Sequence, residues 1–191
     1  MSNVQPISYV RVAEVLTDLG MITEEKARSV LEEAAAYATE PIKRRCEIPG
    51  ALEAFGVAVS IHCDDVDFAD EYYAWLLDEA AALTGGKVTV SNYRFEKANP
   101  DDEECGLGTM HFDRNGKPLS ISVEQESNDY LDVGAAQEAI EALNPDDDPR
   151  DFRRVEREGP EFSDDRMLLA TAEQREGLHR HLGITFARPW R

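Results

Sequence analysis

The spacing of apolar residues predicts two helices at the start of the chain. Apolar positions recur at close to helical spacing over residues 7–19, where Gly20 provides a stop, and a second apolar stripe runs over residues 27–38. Thr23 can cap the second helix, and the two glutamates that follow it fall in the first turn, where the helix dipole favours anions. Pro41 ends this helical pair.

The hydrophobic period changes to two at residue 57, which predicts a strand. Val57, Val59 and Ile61 alternate with less apolar neighbours. A helix is then predicted over residues 68–83, with a stop at two consecutive glycines. Its apolar face consists of Phe68, Tyr72, Trp75, Leu76, Ala80 and Leu83. Tyr73 falls off this face, so we expect it on the surface.

Three further strands are predicted at residues 87–97, 107–113 and 118–124. The last two flank Asn115-Gly116, which is the preferred sequence for a type I′ hairpin turn because both central residues need positive φ. Gly106-Leu107-Gly108 does not predict nucleotide binding. The phosphate-binding motif follows a strand, opens a helix and carries a third glycine, none of which applies here.

The last third of the chain mixes short elements with a long charged segment. Residues 135–143 predict a helix, residues 146–166 predict a loop dense in both charges, and residues 167–170 predict a short strand. A capping-box sequence, Thr-Ala-Glu-Gln, opens a helix over residues 171–182. Residues 184–187 can then add an edge strand.

These elements indicate the α+β class, because the strands cluster in sequence and the helices surround them. We predict an antiparallel β-meander of about four to five strands with five helices packed around it, two of them N-terminal. The 191 residues can bury one sizeable core. We therefore expect a single globular domain, with the helical pair at about residues 7–38 and an α+β body at about residues 55–187.

Net charge narrows the classes of partner. The chain has 39 acidic residues and 20 Lys or Arg residues, a formal net charge of −19, and no basic stripe. Nucleic acid and anionic membranes are therefore not expected as direct partners, because binding to either requires a cationic surface. A basic protein would be attracted to this charge, and its association would be faster at low salt. The alternative is that the charge serves solubility alone.

Targeting signals and cysteines favour the cytoplasm. No apolar run approaches the roughly 20 residues that span a bilayer, and the first residues lack the basic start and apolar stretch of a secretory signal. The three cysteines, Cys46, Cys63 and Cys105, are odd in number and none lies at C-x-x-C spacing, which favours reduced thiols over a disulfide framework. The oligomeric state is not indicated.

Side chains that could support catalysis or bind a metal form only weak patterns. His62 and Cys63 lie at the end of the predicted strand. Neighbours on a strand point to opposite faces, so His62 cannot activate Cys63 directly. A catalytic Cys63 would therefore need another histidine, for which His111 is the candidate. His179 and His181 lie about 200° apart around a helix. The aspartate clusters lack EF-hand spacing. We therefore predict no catalytic residue, cofactor or metal.

Acidic residues are concentrated between residues 61 and 104, where twelve acids and three bases give a net charge of −9. We predict that the partner-binding residues are Asp64, Asp65, Asp67, Tyr73, Asp101, Asp102, Glu103 and Glu104. The two acidic segments among them form one surface only if they lie at the same end of a sheet. That condition depends on strand direction.

A strongly acidic α+β chain without catalytic motifs is similar in character to bacterial toxin-immunity proteins, a similarity of class that rests on no shared motif. It implies a protein that binds and neutralises a basic partner, such as a toxin nuclease whose basic surface holds phosphate. Two alternatives stay open. One is a small hydrolase or transferase with a site near residues 61–65 and His111, and the other is an adaptor or subunit with no catalytic role.

Overall fold

The computed structural model describes residues 6–44, 47–62, 69–99, 106–125, 130–156 and 164–187. The helices in these residues are α1 (Tyr9–Asp18), α2 (Glu24–Glu33), α3 (Ile48–Ala54), α4 (Ala69–Leu83), α5 (Val133–Glu141) and α6 (Ala172–Leu182). The strands are β1 (Ala58–Ile61), β2 (Val90–Lys97), β3 (Gly106–Arg114), β4 (Lys117–Gln125), β5 (Asp151–Arg154) and β6 (Asp165–Ala170). The predicted α+β class is confirmed. None of the helices described has the length and apolar character that crossing a bilayer requires.

The described strands form two antiparallel three-stranded sheets. The first sheet has the order β1-β6-β5 and the second has the order β2-β3-β4. Only the second sheet is a meander of consecutive strands, so the prediction of four to five strands in one meander was too large. The strand β1 pairs instead with β6, far along the chain, with Ala58 opposite Leu168 and Ile61 opposite Asp165.

Two strands of the first sheet, β1 and β6, are buried on both faces. In β1, Val59 and Ile61 belong to a first apolar cluster and Ala58 belongs to a second. In β6, Met167 belongs to the first cluster and Leu168 to the second. The helices α4 and α5 and the second sheet complete the first cluster, and α1, α2, α3 and α6 complete the second. Successive residues of each strand therefore anchor opposite halves of the molecule.

Two elements lack a clear sequence signal, and α3 brings the described helices to six where five were predicted. The helix α3 carries Pro49 in its first turn, followed by Gly50, and no helix was predicted between Pro41 and the strand at residue 57. The strand β5 lies inside residues 146–166, which were predicted as a loop. Its one apolar residue, Phe152, is fully buried opposite Leu169 of β6. One apolar residue among charged neighbours has no period to detect, so the pairing partner defines this strand.

Local capping and turn signals are confirmed. Asn115 and Gly116 have φ values of 51° and 73°, as the predicted turn between β3 and β4 requires. Thr23 caps α2 through its side chain, and Thr171 and Gln174 form the reciprocal pair of hydrogen bonds that opens α6. These features depend on four or fewer consecutive residues, which is why the sequence reveals them.

A buried carboxylate ties the loop before β5 to the end of α4. The side chain of Asp148 is 4% exposed, accepts a hydrogen bond from Arg150 at 2.6 Å and forms an ion pair with Lys87 at 2.8 Å. Arg150 also donates to the carbonyl oxygen of Thr84, just beyond α4, at 3.3 Å. The hydrogen bonds from Arg150 hold the pKa of the Asp148 carboxyl well below its usual range.

We expect Asp148→Asn to lower the free energy of unfolding at neutral pH by about 1–3 kcal/mol, because it weakens hydrogen bonds to a buried charged group. Since the pKa of Asp148 is lowered on folding, the contribution of the carboxylate is complete above about pH 4 and declines as the pH falls below that value. Denaturant unfolding at several pH values should show the variant and wild type converging in acid. Asp147→Asn, at an exposed neighbour, is the control, and a difference that does not change with pH would contradict this account.

A second close contact explains one of the glycines in the meander. Gly108 of β3 lies under the ring of Phe95, and a Cβ atom at this position would lie 2.5 Å and 2.8 Å from two ring atoms. The ring cannot move freely, because it stacks on Tyr73 with 6.2 Å between centroids. A side chain at residue 108 would therefore push on the core.

Gly108→Ala should lower the free energy of unfolding by about 1–3 kcal/mol through overpacking. Gly50→Ala is the matched control, because the nearest atom to its added Cβ is 3.7 Å away and the residue lies in a helix, where alanine is favoured over glycine. Urea unfolding of both variants measures the difference. A Gly108→Ala protein as stable as wild type would show that Phe95 can move aside.

Candidate functional site

Seven of the eight predicted partner-binding residues lie outside the described residues. They are Asp64, Asp65, Asp67, Asp101, Asp102, Glu103 and Glu104. The eighth, Tyr73 of α4, is 1% exposed, so the prediction that it lies on the surface was wrong. The idea that both acidic segments border one sheet also fails, because β1 and β2 belong to different sheets.

Tyr73 is held in the core by its ring and its hydroxyl group. The ring lies parallel to that of Phe95, and the hydroxyl oxygen accepts the backbone N–H of Asp132 at 3.1 Å. Burial raises the pKa of Tyr73 far above its usual value, and the carboxylate of Asp132 raises it further. That carboxylate caps α5 through the N–H of Ala135. Tyr73 therefore joins α4 to β2 and α5 as a structural residue.

The buried side of α4 is rotated from the side that the sequence predicts. The residues with at most 8% exposure are Tyr73, Leu76, Leu77, Ala80 and Ala81. Trp75, which was predicted in the core, is 45% exposed. The helix contacts β1, β2 and α5, and these contacts decide which of its aromatic residues are covered.

The exposed side of α4 carries a tryptophan among carboxylates, and we call it the α4 acidic face. It consists of Glu71, Trp75, Asp78 and Glu79, all of which are exposed. The last three lie four, seven and eight residues after the first, which places all four along one side of the helix. The whole of α4 contains no Lys or Arg. The face therefore presents negative charge around an apolar centre.

Contacts with the end of β1 hold Trp75 in place. Its ring packs against that of Tyr72, with 5.3 Å between centroids, and the Tyr72 hydroxyl accepts the backbone N–H of His62 at 2.9 Å. The His62 ring in turn contacts Asp164, with 3.0 Å between Nδ1 and Oδ2. An aromatic side chain has only two rotatable bonds and loses little entropy on binding, which favours its use as an anchor.

The chemistry of the α4 acidic face suits a cationic ligand. Carboxylates attract Lys and Arg side chains over distance, and the face of a tryptophan ring binds their charged groups at contact. Each interaction is weak at an exposed position, and together they distinguish a basic protein surface from a neutral one.

The histidines of the predicted enzyme site belong to separate surroundings. His62 directly follows β1 of the first sheet, whereas His111 lies on β3 of the second sheet. The Nδ1 atom of His111 is 2.8 Å from the Ser120 hydroxyl oxygen, and its Nε2 atom is 3.3 Å from Glu96. Cys63 lies outside the described residues. Ser120 and Glu96 are exposed strand residues, and neither lines the cavities of about 760 Å³ and 260 Å³ found in the structure. Within the described ranges, no three metal-binding side chains converge.

Comparison of the chain with protein-family models, with curated proteins and with solved structures finds no match. The assignment of function therefore rests on the residues of this chain and their geometry.

Tyr73→Phe should lower the free energy of unfolding by about 1–2 kcal/mol, because the buried N–H of Asp132 loses its acceptor. Tyr37→Phe is the matched control, since Tyr37 is 49% exposed and its loss of a hydroxyl should change stability by less than about 0.5 kcal/mol. Chemical denaturation of both variants provides the comparison. Equal stabilities would show that Tyr73 contributes only its ring.

Proposed function

We propose that this protein is an acidic binding module that neutralises or sequesters a basic protein in the cytoplasm, in the manner of a bacterial toxin-immunity protein. The observation that supports the proposal is the α4 acidic face, with exposed Trp75 surrounded by three carboxylates on a helix that has no basic residue. The formal net charge of −19 supports it at long range.

The partner of such a module presents a basic surface. A nuclease must present Lys and Arg to hold a phosphate backbone, and those side chains are bound by carboxylates on an inhibitor. Opposite charge speeds the encounter and discriminates against neutral and acidic proteins. A tryptophan at the centre of the contact then slows dissociation, because it buries apolar area and stacks on a cation. Inhibition follows from covering the basic surface.

The proposal also includes the two acidic segments that were predicted from the sequence to bind the partner. Asp64, Asp65 and Asp67 directly precede α4, and residues 101–104 add four further carboxylates. We keep all of them as proposed partner-binding residues. An adaptor whose acidity serves only solubility would bind its partner without using these carboxylates, so charge reversal separates the two functions.

Reversal of charge on α4 tests the proposal. The variant Glu71→Lys/Asp78→Lys/Glu79→Lys should fail to retain a basic protein that wild type captures from host lysate at low salt. The matched control, Glu33→Lys/Glu40→Lys/Glu138→Lys, makes the same change in net charge at exposed acids on other parts of the surface, and it should retain the protein. Loss of the partner in both variants would indicate net charge alone, and retention in both would exclude this face. Thermal unfolding verifies that each variant is folded.

Kinetics on the captured partner separate the two parts of the face. Trp75→Ala should raise the Kd about 30-fold, or by about 2 kcal/mol, mainly through faster dissociation. The charge reversal should slow association instead, and the wild-type association rate should fall by an order of magnitude or more as salt rises. An association rate that does not depend on ionic strength would contradict the electrostatic mechanism.

A further inference from the structure

A long groove lies between α1 and α2, on the other side of the first sheet from α4. Its volume is about 760 Å³. The apolar side chains that line it are those of Val10, Ala13, Ala27, Leu31 and Ala35. Three of these five are alanines, so the space between the two helices is left unfilled, while Val10 and Leu31 remain half-buried. The opposite sides of α1 and α2 pack into the core through Val12, Leu16 and Val30.

The rim of the groove is acidic. Glu14 and Asp18 border it on α1, Glu24 and Glu32 border it on α2, and Arg28 is the one base among the lining residues. An apolar floor between carboxylates matches a ligand with an apolar stripe flanked by Lys and Arg. A second copy of this chain fits poorly, because it carries the same negative charge.

The dimensions match a helix. Each of α1 and α2 has ten residues, which corresponds to about 15 Å or nearly three turns. A helix laid between two others places its own side chains in the groove that they form, and such grooves bind amphipathic helices through apolar residues at spacings of three and four. An extended peptide would need an exposed strand edge, which two helices do not offer.

We infer that the groove between α1 and α2 binds an amphipathic basic helix of a partner protein. The apolar stripe of that helix contacts Val10, Leu31 and Ala35, and its Lys or Arg residues pair with the acidic rim. This inference does not rest on the α4 acidic face, which lies across the first sheet and suits a folded basic surface.

A designed peptide tests the inference without knowledge of the natural partner. The probe is an 18-residue peptide of Leu, Ala and Lys with its leucines at spacings of three and four, and the control peptide has the same composition with the leucines at alternate positions. Fluorescence anisotropy at physiological salt should give a Kd about tenfold lower for the probe, and circular dichroism should show that the probe becomes helical on binding. Equal affinities would overturn the inference, because net charge alone would then explain binding.

Variants of the groove locate the site. Ala35→Trp fills the groove from an exposed position, and Asp18→Lys/Glu32→Lys reverses the rim, so each should weaken probe binding about tenfold or more. Both reversed residues lie in the last turn of a helix, where the dipole favours Lys, so the variant should remain folded. The control is Glu33→Lys/Glu40→Lys, which makes the same charge change away from the groove and should bind as wild type does.

Two further results would overturn the inference. Probe binding unchanged by Ala35→Trp would place the peptide elsewhere. Dimerisation of the wild-type protein that Ala35→Trp abolishes would make a second copy the occupant. The α4 charge-reversal variant should keep full affinity for the probe, so failure of the groove and failure of the α4 acidic face are separate outcomes.

Discussion

Burial of β1 and β6 on both of their faces is the constraint on which the rest of the structure depends. Alternate residues of β1 and β6 enter two separate apolar clusters, so the sheet forms the common wall between them. One cluster holds α4 against the sheet and the other holds α1 and α2. The outward sides of these helices form the α4 acidic face and the groove between α1 and α2.

The acidic excess of the chain divides between structure and surface. Asp165 is 1% exposed, accepts a hydrogen bond from Gln137 at 2.8 Å and lies 3.6 Å from Arg154. The buried side chain of Asp148 forms ion pairs with Arg150 and Lys87. Buried carboxylates need such partners because an unpaired charge is costly to remove from water. Arg150 and Arg154 are therefore paired with carboxylates of the same chain. Carboxylates on α4 and on the groove rim belong to the part of the charge that stays exposed.

The limits of helix α4 were predicted correctly, but its buried face was not. Its start and end follow from sequence, yet its aromatic residues lie on both sides, and periodicity alone chose the wrong ones. Tyr73 was predicted on the surface and lies in the core, while Trp75 was predicted in the core and is half-exposed. No local rule separates them, because both are large aromatic residues two positions apart. Packing of Phe95 and Asp132 around Tyr73 makes the choice.

The sequence by itself determined the α+β class, the hairpin at Asn115-Gly116, the helix caps at Thr23 and Thr171, and the formal net charge of −19. Each depends on a few adjacent residues or on composition. Tertiary structure alone decided that β1 pairs with β6, that Phe152 lies in a strand, and that two helices leave a groove between them. These features join residues far apart in the chain, and the free energy that selects them comes from apolar burial between elements, which no local pattern records.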